Sequence, residues 1–208
     1  MKRKKRAKNI LFALLAAVVV VIGAFALMMF GGRIISRRPV QYQKLLQSQR
    51  ASYSQLLPLG VFPKDLDRVK QVETFYFEYY NPWDACYLIY LVADYTEDSY
   101  AAEAARLRAL PLKPPPEPLP FGAEGFSLPV LALSADRSCG YCYALAEESN
   151  RRIVYVLIEF CNYFTDIKKY PNIIPSAHLP IGFNALPGNP EWQAFENMPL
   201  TDSLKTPT

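Results

Sequence analysis

Histidine is nearly missing from this chain: His178 is the only one in 208 residues, and it stands in a proline-rich stretch. A Ser-His-Asp arrangement would have to recruit it from there, so the sequence places it as a surface histidine rather than a catalytic one. Glycine is also scarce, nine residues with no phosphate-cradling pattern and no nucleophile elbow among them. Cysteine numbers four, but Cys86, Cys139, Cys142 and Cys161 contain a single Cys-x-x-Cys spacing where a structural zinc site ordinarily uses two. No metal and no cofactor is expected. Acid is lacking at one end: none of the 19 Asp and Glu residues falls in the first 38 positions, whereas nine of the 23 Lys and Arg residues do. The remainder holds 14 basic against 19 acidic residues, so the formal +4 of the whole chain misleads. Beyond residue 38 the chain repels phosphate on average, which excludes nucleic acid as a partner.

Those basic residues belong to a different signal. Lys2, Arg3, Lys4, Lys5, Arg6 and Lys8 precede an uncharged, proline-free run from Ile10 to Phe30. At about 1.5 Å per residue, a helix of that length spans the roughly 30 Å hydrocarbon core of a bilayer. Three bases come after the run (Arg33, Arg37, Arg38) against six before it, so the positive-inside bias keeps residues 1–9 in the cytoplasm and exports the chain beyond a signal-anchor at 10–32. The expected partner of residues 10–30 is the lipid bilayer. Ala24-Phe25-Ala26 also has the small-x-small form of a cleavage site, and the alternative is a secreted protein after signal removal.

Past the anchor the chain divides by composition. In residues 33–60, Tyr42, Leu45, Leu46, Tyr53, Leu56 and Leu57 recur at helical spacing and predict an amphipathic juxtamembrane helix ending before Pro58. Residues 61–170 read as an α+β domain of mostly antiparallel strands with one packed helix. VETFYFEYY (72–80) and ACYLIYLVADY (85–95) flank the turn formers Asn81-Pro82-Trp83-Asp84 and predict a hairpin. Thr96 then caps a helix of about three turns, with Glu97 and Asp98 in its first turn and Tyr100, Ala101, Ala104 and Leu107 on its apolar face. Six prolines in residues 111–120 make a stiff, solvated spacer that crosses from one edge of the sheet to another. FSLPVLALSAD (126–136), YCYALAEE (141–148) and IVYVLIEFCNYF (153–164) supply the second group of strands, the last too apolar and β-branched to be anything but central. Residues 171–208 form a proline-broken tail that wraps the domain.

Two groups of residues carry the functional expectations. Tyrosine is plentiful, 14 residues, and Tyr76, Tyr80, Tyr87, Tyr141, Tyr143 and Tyr155 sit in the strands either as ring packing or as an interaction face for a protein or envelope glycan. Glu147 and Glu148 read as solvated charges at a turn facing Arg151 and Arg152. The second group is the cysteines. A three-residue loop at 149–151 pairs Glu148 with Arg152, and the same register sets Cys139 opposite Cys161, close enough to bridge. Burial of all the thiols in reduced form, or a bend at Gly140 that closes Cys139 on Cys142, are the other two outcomes.

PVLALSADRSCGYC (129–142) is similar to the active-site strand and turn of the thioredoxin family, with Ile174-Pro175 in the place of that family's cis-proline. The resemblance implies a membrane-tethered thiol-disulfide oxidoreductase, with Cys139 at a helix N-terminus as nucleophile and Cys142 as resolving thiol. The residues depart from it at Ser138, at Tyr141 and in the short distance from Cys142 to the strand at Ile153. The reading they favour is a non-enzymatic binding or structural module of the cell envelope, with the oxidoreductase as the alternative.

Overall fold

The computed structural model describes residues 2–30, 32–48, 51–80, 85–136, 139–159 and 172–183. Helix α1 (Lys2–Phe30) leads into six antiparallel strands: β1 (Ile34–Ser36), β2 (Val69–Tyr80), β3 (Cys86–Tyr95), β4 (Val130–Asp136), β5 (Gly140–Glu147) and β6 (Arg152–Glu159). Two further helices are α2 (Tyr42–Leu46) and α3 (Glu97–Arg108). The strands form one sheet in the order β1-β2-β3-β6-β5-β4. The α+β class and the antiparallel pairing are as the sequence predicts, and β6 is central, paired with β3 on one side and β5 on the other.

These runs are apolar throughout, rather than alternating, because of the layers that cover them. One face of the sheet carries Phe77, Ile89, Leu91, Ala144 and Leu157 beneath Tyr42, Leu56, Phe62, Ala104 and Leu107. The opposite face carries Leu88, Tyr90, Tyr143, Val154 and Val156 beneath Phe121, Ile174 and Leu179. A strand covered on both faces has no solvent side on which to place polar residues, which is why CYLIYLVA and IVYVLI lack the period of two. Each fully buried Leu or Ile contributes about 1.5–3 kcal/mol relative to exposure.

Helix α3 starts where Thr96 predicts. Its Oγ1 accepts the Ser99 N–H at 3.4 Å, and Ala104 and Leu107 are buried on the sheet while Ala101 is exposed. Arg106 holds the helix to its surroundings: the guanidinium pairs with Glu103 and donates to the carbonyls of Gly60 (2.6 Å) and Val61 (3.1 Å). Glu103 in turn accepts from Tyr155 Oη at 2.9 Å, and Tyr155 Oη lies 2.7 Å from Tyr95 Oη. The proline-rich spacer is half exposed, and it carries the chain from Leu112, packed on the first face, to Leu119 and Phe121 on the second.

The structure corrects the segment 33–60. It is not one amphipathic helix but strand β1, the five-residue α2 and three short 3-10 turns. Ile34 and Ile35 join the sheet edge opposite Tyr79 and Glu78, where β-branched side chains pack well. Farther on, serines compete for the backbone: Ser48 Oγ donates to Leu45 O at 2.8 Å and accepts from Ala51 N, and Ser54 Oγ accepts from Leu57 N. Such side-chain bonds end helices after a turn. The apolar residues still reach the core, with Tyr42 and Leu56 buried and Leu45, Leu46 and Leu57 packed on them.

α1 makes Lys2–Phe30 a single helix. Among the described residues no helix is long and apolar enough to cross a membrane.

Candidate functional site

The Cys139-Gly140-Tyr141-Cys142 stretch begins in the turn between β4 and β5 and ends inside β5. The turn is held by the Cys139 N–H, which donates to Asp136 Oδ1 at 3.0 Å, and Gly140 takes φ 115°, outside the range a side chain tolerates. Cys142 pairs across the sheet with Ser134 and Leu157. No helix starts at either cysteine, so the geometry implied by the thioredoxin resemblance is not present. That geometry needs an accessible thiolate at a helix N-terminus, whereas Cys142 is an unbridged thiol at 0 % exposure and burial pushes its pKa well up. No Cys139–Cys142 bond exists. Cys139 is half-buried, and its Sγ donates to Gln55 Oε1 at 3.0 Å.

The register argument for a Cys139–Cys161 bridge also changes. The structure pairs Glu147, not Glu148, with Arg152 across a four-residue turn at 148–151, in which Arg151 takes φ 51°. That register differs by one residue from the one that sets Cys139 opposite Cys161. Cys161 itself lies outside the described residues, as does the turn at 81–84.

The tyrosines are placed inside rather than outside. Tyr87, Tyr141, Tyr143 and Tyr155 are fully buried and Tyr76 nearly so, with Tyr80 at the margin. They are divided between the two faces, Tyr87 and Tyr155 on one and Tyr76, Tyr141 and Tyr143 on the other, so they form no single interaction face. Their hydroxyls find internal acceptors: Tyr141 donates to Pro120 O, Tyr143 to His178 O at 2.7 Å, and Tyr76 to Glu78 Oε2 at 2.5 Å. Burial is the first cause of the raised pKa of Tyr76, Tyr143 and Tyr155.

What the sequence missed is a polar chain across the second face. Arg152 on β6 pairs with Asp94 on β3 (2.6 Å) and with Glu147 on β5 (3.6 Å). Glu147 Oε1 lies 2.8 Å from Nε2 of His178, whose Nδ1 lies 2.8 Å from Tyr90 Oη. His178 is 12 % exposed, not a surface residue, and Glu147 is no solvated charge. A carboxylate only accepts, so Nε2 carries a proton and donates to Glu147, while Nδ1 and the Tyr90 hydroxyl share the second hydrogen bond. Burial, then the Glu147 charge, pushes the Tyr90 phenol up to about 12, and the Arg152 guanidinium holds Asp94 below the usual carboxylate range. With both ring nitrogens engaged, His178 fastens the strap at 172–183 to the sheet. Ser127 Oγ, bonded to Ala177 O at 2.8 Å, and paired Gly125–Ile181 backbones fasten it to the 120–128 loop. No sequence pattern surrounds His178 that distinguishes a buried latch from a tail residue.

A second buried acid serves the first face. Glu159 is 5 % exposed; its carboxyl accepts from Ser54 Oγ (2.5 Å) and Gln55 N (2.8 Å) and so pins the 51–57 segment across the sheet end. Burial raises its pKa, partly offset by those hydrogen bonds. A raised folded-state value means a stabilising contribution that is complete below the unfolded pKa and lost as the pH rises through the folded one. Replacement Glu159→Gln is therefore expected to remove an acid-favoured component. In urea melts, the stability of the variant minus that of wild type falls as the pH is lowered toward the ordinary glutamate value; a difference that does not change with pH sinks the assignment.

The fold and these polar chains define a two-faced antiparallel α+β sheet domain behind an N-terminal helix. No family model, curated protein or solved structure matches the chain. Among the described residues, no group of His, Cys, Asp and Glu is arranged to hold a metal ion.

Proposed function

We propose that this is a single-pass, membrane-anchored protein, N-terminus in the cytoplasm, whose exported α+β domain is a non-enzymatic binding or structural module of the cell envelope. The observation that carries the reading is the uncharged run Ile10–Phe30, which lies wholly within one helix (Lys2–Phe30) behind six basic residues. Its large apolar side chains are exposed, Phe12 at 75 % and Val20 at 70 %, and a helix that presents such residues all round finds its solvent in lipid. The sheet supports a structural role: both faces are covered, the Glu147–His178 contact fixes the strap, and Glu159 fixes the 51–57 segment through Ser54 and Gln55. A protein or glycan partner would meet the polar rims and loops. The buried Cys142 does not support the oxidoreductase alternative.

Alkaline carbonate extraction combined with protease treatment of intact and permeabilised cells tests this reading. The full-length chain is expected in the membrane pellet, with its sheet domain cleaved by protease added to intact cells. A chain released by carbonate at unchanged mass overturns the anchor, and cleavage only after permeabilisation overturns the orientation.

A further inference from the structure

Helix α3 covers part of the sheet's first face, but its own outer side is bare. Ala104 and Leu107 turn inward and are buried, whereas Asp98, Ala101, Ala102, Ala105 and Arg108 are exposed. At about 100° per residue these five positions share an arc of roughly 120°, on the side of the helix away from Leu107. Between Asp98 and Arg108 every exposed position is alanine, where a solvated helix face ordinarily carries charged residues in i,i+4 pairs. Alanine lets a second helix approach to about 8 Å, the close end of helix-packing distances.

The two ends of this face carry opposite charges. Among the described residues neither Asp98 nor Arg108 has an ion-pair partner, whereas Glu97 is held by Arg151 at 3.5 Å and Arg106 by Glu103 at 2.7 Å. The neighbours do not cancel the asymmetry. At the N-terminal end Glu97, Asp98 and Glu148 outnumber Arg151, while Lys113 follows the C-terminal end. The segment that Arg106 ties alongside α3 through Gly60 and Val61 is balanced, Lys64 and Arg68 against Asp65 and Asp67. Asp98 and Arg108 stand about 15 Å apart along the helix. Turning a copy of α3 end for end about the level of Glu103 sets Asp98 against the copy's Arg108, Arg108 against its Asp98, and Ala101 against its Ala105. The face is complementary to itself in the way a two-fold dimer requires, and the two helix dipoles then run antiparallel.

We propose that the outer face of α3 is the interface with a second copy of this chain, packed antiparallel and held by two Asp98–Arg108 pairs. An alanine face of about three turns buries less than the roughly 1,200 Å² of a stable complex, so the contact depends on the local concentration that two anchors in one membrane supply. It therefore rests on the membrane-anchored reading, and its test separates the two. Full chains labelled at the C-terminus with a donor or an acceptor fluorophore are reconstituted into phosphatidylcholine vesicles, and energy transfer is measured across a range of protein-to-lipid ratios. D98R and R108D are each expected to lower the association constant by about tenfold, because both pairs become like-charge contacts. Transfer returns in the double variant D98R/R108D, and also when the D98R chain is mixed with the R108D chain, which loss of folding would not allow. About 0.5 M salt weakens the wild-type association. Transfer that is absent from wild type, indifferent to the single variants, or lowered by them without recovery in either combination overturns the α3 interface with the anchor intact. Failure of the chain to enter the vesicles overturns the anchor itself.

Discussion

Replacing Tyr155 by alanine is expected to destabilise the sheet domain by about 3–5 kcal/mol, enough to unfold a domain of ordinary stability. The residue is fully buried on central β6, its ring packs 5.8 Å from that of Phe62, and its hydroxyl joins Tyr95 on β3 to Glu103 on α3. Alanine removes the ring and leaves a cavity. It also deprives Glu103, already committed to Arg106, of one donor in a place water does not readily reach. Tyr155→Phe keeps the packing and isolates the hydroxyl; its expected cost is about 1–2 kcal/mol. Because Tyr95 shares that hydrogen bond, the double variant with Tyr95→Phe should cost less than the sum of the two singles. Chemical denaturation of the four proteins gives the cycle, and strict additivity would show that the tyrosine pair is not coupled.

Two arginines in place of Val19 and Val20 are expected to abolish membrane retention. These positions are midway along Ile10–Phe30, where an arginine costs about 2.5–3.5 kcal/mol of insertion while each valine favours it by only a few tenths. The pair outweighs much of what the remaining apolar residues provide. The variant is expected in the carbonate-soluble fraction, whereas the leucine pair at the same positions stays in the pellet. Retention of the arginine variant would place the anchor elsewhere in the chain. A wild-type protein shortened to a mass consistent with cleavage after Ala26 would instead establish the secreted form.

Legibility in the sequence tracks local chemistry. The hairpin of β2 and β3, the Thr96 cap and the β5–β6 pair are all readable, because each is specified by neighbours in the chain: β-rich runs on either side of turn formers, and a capping hydroxyl before two acids. The segment 33–60 misleads because its apolar spacing satisfies a helix, while the choice is made by distant strand β2, which offers an edge to Ile34 and Ile35, and by serines that end each turn. Tyrosine is ambiguous for the same reason. The 120–128 loop and the strap from 172 to 183 together decide that Tyr141 and Tyr143 are covered, and that strap is fastened by His178 from 31 residues beyond Glu147. The β5–β6 turn differs from its expected register by one residue because Arg151, in the left-handed region, allows a loop of four where counting from the polar residues gives three.

The strand order has a consequence in time. β3 is complete at Tyr95, but its second neighbour, β6, begins only at Arg152, and the Asp94–Arg152 contact that closes the pair spans 58 residues of chain. As the polypeptide lengthens during synthesis, the β2–β3 hairpin exists first, with the long apolar edge of CYLIYLVA unpaired and both its faces bare. An exposed edge of that kind is a template for another nascent chain. Long-range pairing is slow because the intervening loop must be closed before any contact rewards it. The hairpin therefore waits through α3, the proline spacer, β4 and β5 for its partner, and then through the strap before the second face is sealed. Holding that edge apart from its copies until β6 arrives is a task for a chaperone or for dilution, and overproduction is the condition under which it fails first.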